Sequence, residues 1–153
     1  MHKLTWLTTT VAALSCLAFV PATHTTPQDP APAAAKKADE PSLEQRMKAM
    51  KKAFNKVRDF AAKGEGAAPM AEVDSLLTHA LAARNQIPER AAEVAEADRA
   101  KWLLAYKQSM RDTVRTLLEL EQALEQADKE KIKALAETLG KQQKDGHKAY
   151  KTD

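Results

Sequence analysis

PSLEQRMKAMKKAFNKVRDFAA, residues 41–62, is the stretch that decides the fold. Leu43, Met47, Met50, Phe54, Val57 and Ala61 recur at alternating steps of four and three, while the positions between them are mostly Lys, Arg, Glu, Gln and Asn. That spacing is one apolar stripe on an amphipathic α-helix. KGEGAAP, residues 63–69, ends it: Gly64 and Gly66 are helix stops, and Pro69 suits the first turn of a second helix.

The remaining chain keeps the same character. Glycine is scarce, and Ala, Leu, Glu, Lys and Gln dominate, a composition that favours helix. A second helix is expected from about Pro69 to Gln86, with Val73, Leu76, Leu77, Ala80 and Leu81 inside, and Pro88 marks a break. ERAAEVAEADRA, residues 89–100, reads as a short helix or a lead-in. A long third helix then carries Leu103, Tyr106, Met110, Val114 or Thr113, Leu117 and Leu124, and the last carries Ile132, Leu135, Ala136 and Leu139. EQADKEK, residues 125–131, has neither glycine nor proline, so the last two helices could run on; Asp128 as an N-cap, with Glu130 in the first turn, favours a break. Four such helices with short connections make an all-α, up-down-up-down antiparallel four-helix bundle over residues 42–153.

Two segments precede it. Residues 1–22 read as a signal peptide: MHK is a short basic start, an apolar run follows, Pro21 breaks it, and Val20 and Ala22 supply small residues for cleavage. The apolar run is short for a membrane span, so no stable insertion is expected after cleavage. Residues 23–41, with four of the seven prolines, read as a disordered tether. Cys16 is the only cysteine; its lipidation is the minor alternative to periplasmic release. Cleavage after Ala22 leaves no cysteine, which excludes disulfides, thiol catalysis, Cys-ligated metal and covalent haem through C-x-x-C-H. Net charge is +3 with signs alternating along the chain, the mark of solvated helical surfaces rather than a nucleic-acid-binding arm.

In such a bundle the start of the first helix and the end of the last share one rim. Met47 and His147 each lie about six residues, or about 9 Å, below it. Each has an ordinary explanation: Met47 as core, His147 as a helix-end cation favoured by the dipole. On the last helix Ala136, Gly140 and Gln143 lie within roughly 40° of His147, a strip short of side-chain volume. Gly140 costs about 1 kcal/mol relative to Ala. Room for a flat ligand, a bend or an early cap would each account for it. His79 is expected to be partly buried or at a rim, and no paired Glu-x-x-His of the di-iron kind is present.

SLEQRMKAMKKAF (42–54) and HKAYK (147–151) together resemble the two ends of the cytochrome b562 family: Leu43, Glu44, Met47, Met50 and Phe54 at one end, His147, Tyr150 and Lys151 at the other. The resemblance covers about residues 42–151. It implies an electron-transfer protein, not an enzyme, that binds one non-covalent b-type haem with Met47 and His147 as axial ligands. It also implies Tyr106 as a porphyrin contact and Lys151 as the retained basic residue. Gln143 stands where the family often has Arg, and Gly146 where an aromatic is common. A haem-less bundle of the same fold, binding or structural, is the alternative. The redox partner is not identified by the sequence, and a monomer is the default.

Overall fold

A computed structural model describes residues 40–152. The expected signal peptide and all but the last two residues of the expected tether lie outside the described residues. Four helices follow in order: α1 (Leu43–Lys63), α2 (Met70–Ala83), α3 (Glu96–Glu125) and α4 (Lys129–Tyr150), with a 3₁₀ turn at Glu89–Glu93 before α3. Each packs on its sequence neighbours and α1 closes on α4, giving a sequential antiparallel bundle; there is no strand among the described residues.

Local chemistry sets the helix ends. Ser42 and Gln45 form a capping box, the Gln45 N–H donating to Ser42 Oγ at 3.2 Å and the Ser42 N–H to Gln45 Oε1 at 2.8 Å. Gly64 terminates α1 in the left-handed region (φ 66°), its N–H donating to Phe60 O at 2.7 Å. The α3–α4 break uses no glycine: Ala127 adopts φ 54°, the Asp128 N–H donates to Ala123 O at 3.0 Å, and Asp128 Oδ1 accepts from Lys131 N at 3.1 Å. Two backbone groups are thereby satisfied against the strain of a left-handed alanine. The ambiguous 89–100 segment divides into the 3₁₀ turn and the first turn of α3.

Val57, Val73, Ala80, Ala83, Leu117, Leu120 and Ala123 are almost wholly excluded from solvent. The six stripe residues of α1 are buried or packed against this core. Leu81 corrects the sequence reading, because it is 45% exposed. The inward face of α2 runs through Val73, Leu76, Ala80 and Ala83, and Leu81 lies about 100° further round. A part-buried polar bridge joins α3 to α4: Gln142 Nε2 donates to Thr116 Oγ1 at 3.0 Å, and that hydroxyl donates to Asp112 O.

Gly140 in the α4 interior faces Phe54: a methyl group there would sit 3.9 Å from Phe54 Cζ, an ordinary van der Waals contact. Gly140→Ala is therefore expected to raise bundle stability by about 1 kcal/mol through helix propensity alone. Thermal unfolding would show it as an upward shift of about 4 °C; a drop would mean that Phe54 cannot yield.

Candidate functional site

Contacts across the helix seams fix what meets at the rim where α1 begins and α4 ends. On α1–α4, Phe54 lies against Gly140. Moving seven residues in opposite directions along these antiparallel helices, two turns each, leads to Met47 and His147 at one level. Met47 is half-buried against the core, while His147, in the last turn of α4, is exposed. The α1–α4 seam is the sparsest of the four, as expected where α4 offers Ala136, Gly140 and Gln143.

On α3–α4, Tyr106 and Tyr150 meet edge to face with centroids 5.2 Å apart, and Trp102 meets Tyr150 likewise at 5.1 Å. Tyr106 is buried, its hydroxyl donating to Ala83 O at 2.8 Å. The register set by the Tyr106–Tyr150 and Thr116–Gln142 contacts brings buried Met110 level with the His147 turn. The last turn of α4 is closed by its own cap, the Lys151 N–H donating to His147 O at 3.1 Å, and is held from outside by Arg90, whose Nη1 donates to Lys148 O at 2.8 Å. Lys151 itself is exposed at the helix C-cap. Just before His147 on α4, Lys141 and Asp145 pair at 2.8 Å; that hydrogen bond and the lysine charge hold the Asp145 carboxyl below its ordinary range.

Burial, reinforced by the neighbouring Tyr150, pushes the Tyr106 phenol up to about 12. The folded chain thus holds this proton more tightly than the unfolded chain, whose phenol titrates near 10. The resulting stability is complete below about pH 10 and is lost as pH rises toward about 12, a change of roughly 2–3 kcal/mol at most. Urea midpoints at about pH 9 and about pH 11.5 should differ accordingly, and Tyr106→Phe should flatten much of the difference.

Sequence reasoning picked out Met47, His147, Tyr106 and Lys151. It missed Arg46, one of two buried polar or charged residues among the described residues, and it did not foresee that Tyr150 turns inward onto Tyr106 and Trp102. Arg46 falls at the 46-50-53-57 spacing, a heptad-like line that would have exposed it. His79 is partly buried, as expected. A recess of about 210 Å³ lined by Phe60, Ala61, Leu124, Ala127 and Ile132 lies at the opposite end of the bundle and is below the usual range for small-molecule pockets. No three His, Cys, Asp or Glu gather to hold a metal ion among the described residues. Near the rim where α1 begins and α4 ends, the chain carries one soft thioether, Met47, and one imidazole, His147.

The described residues thus form a sequential antiparallel four-helix bundle with a thioether on α1 and an imidazole on α4 near one rim. The family model for cytochrome b562 matches residues 42–151, and the chain belongs to that family. Membership implies a haem-binding electron-transfer protein; members are typically non-enzymatic carriers of b-type haem. No curated protein and no solved structure matches the chain.

Proposed function

We propose that the chain is a periplasmic electron carrier that binds one b-type haem non-covalently, with Met47 and His147 as its two axial ligands. What supports this reading is the approach of α1 to α4 at Phe54 and Gly140; helix periodicity, followed two turns from there toward the shared rim, leads to Met47 on α1 and His147 on α4. The haem, when bound, supplies a one-electron ferric/ferrous couple. Met47 contributes a soft sulfur that favours the ferrous form and raises the potential. His147 contributes a neutral imidazole nitrogen, and its exposed position leaves the ring accessible from the rim.

Met47 and His147 would hold the haem, which would then supply outer-sphere electron transfer rather than bond-making chemistry. Tyr106, fixed by Ala83 O, and Tyr150 wall the rim on the α3 side and exclude water there. Lys148 and Lys151 place positive charge around the His147 turn, where an acidic redox partner can dock. Export rests on the signal-like residues 1–22, and no described helix is long and apolar enough to cross a membrane.

The test is a haemin titration of the purified apo chain followed at the Soret band. One equivalent is expected to give a six-coordinate low-spin spectrum that sharpens and shifts on dithionite reduction. A flat titration would leave a haem-less bundle.

A further inference from the structure

We propose that the buried guanidinium of Arg46 is the anchor for a haem propionate, and that the Glu40 carboxylate holds that position when no haem is bound. This rests on the haem reading of the chain and adds to it a residue that neither the axial pair nor the lysines of α4 include. Arg46 is 6% exposed, although it stands in the second turn of a surface helix. Its Nη2 donates to Glu40 Oε1 at 3.0 Å, while its Nε is buried and has no hydrogen-bond partner.

These two nitrogens form one edge of the guanidinium, the edge that takes both oxygens of a carboxylate in a bidentate pair. Glu40 fills half of it. Its side chain is 46% exposed, and it belongs to the segment before α1 rather than to a helix. A buried cation with one donor unfilled destabilises a fold, whereas a second carboxylate oxygen would satisfy it.

The location agrees with the chemistry. Lys56 pairs with Glu72 at 2.6 Å, and Gln86 Nε2 donates to Pro41 O at 2.9 Å. This α1–α2 register puts Arg46 across from the last turn of α2, which ends at Ala83, whose carbonyl receives the Tyr106 hydroxyl. By helical register Arg46 therefore belongs to the same end layer as Tyr106, Tyr150, Met47 and His147.

The test compares haemin with its dimethyl ester, which keeps the iron and the ring but has no carboxylate, as Soret titrations of the full apo chain. The parent is expected to bind the free acid roughly tenfold or more tightly than the ester. Arg46→Leu should remove that preference without weakening ester binding, and the apo variant should unfold no lower than the parent, since a buried charge has been replaced by an apolar side chain. Glu40→Gln, which leaves Arg46 in place, should tighten free-acid binding up to about fivefold by removing the competitor; it serves as the independent arm if Arg46→Leu does not fold. Equal binding of acid and ester by the parent, or a preference that survives Arg46→Leu, would overturn the anchor while leaving the haem reading intact. Failure of both porphyrins to bind the parent would overturn both.

Discussion

His147→Ala should abolish the six-coordinate low-spin spectrum and weaken haemin binding by roughly 100-fold or more, while leaving the apo bundle as stable as the parent. The size follows from the role: outer-shell partners of metal ligands already cost up to about 100-fold, and an axial ligand is worth at least as much. The unchanged stability follows from position. The imidazole is exposed in the last turn of α4, and that turn is held by backbone carbonyls, His147 O accepting from Lys151 N and Lys148 O from Arg90. Truncating an exposed side chain stays within about 0.5 kcal/mol. Met47→Ala makes the complementary case. It keeps the imidazole, so haemin should still bind, but the lost sulfur should lower the reduction potential measurably in a spectroelectrochemical titration. If His147→Ala and Met47→Ala both leave the Soret spectrum like the parent's, the ligand pair is wrong.

Leu120→Ala should be the most damaging single change to stability, costing about 2–5 kcal/mol by urea unfolding. Leu120 is fully buried in α3, in one cluster with Leu117, Ala123 and Leu124, and a cavity there cannot close without moving a helix. Set against a total stability of about 5–15 kcal/mol, such a loss brings the bundle near unfolding at ordinary temperature. Leu118→Ala, two residues away but 51% exposed, should change stability by less than about 0.5 kcal/mol. Equal effects from the two leucines would mean that α3 presents a different face to the core. Because Leu120 lies far along α3 from Tyr106, the haemin affinity of folded Leu120→Ala should match that of the parent.

The contrast between those two leucines also shows where sequence reading stops. The periodic stripe of α1 pointed to a helix and to its buried side, and every one of its six residues meets the core. Asp128 was legible as a cap because N-capping is a contact over three residues. The turn before it was not, because an alanine takes the left-handed position at which glycine is the usual marker. Leu81 looked internal beside Leu77 and Ala80, yet the rotation of α2 against its neighbours leaves it outside.

What the sequence by itself determined was the helical class and most of the apolar faces, because these depend on spacings of three and four residues within one helix. Only the tertiary structure decided the approach of Phe54 on α1 to Gly140 on α4, the inward turn of Tyr150 onto Tyr106, and the burial of the Arg46 guanidinium. Those depend on how the side chains of one helix seat among those of another, and a contact between residues a hundred positions apart leaves no periodic trace in either segment.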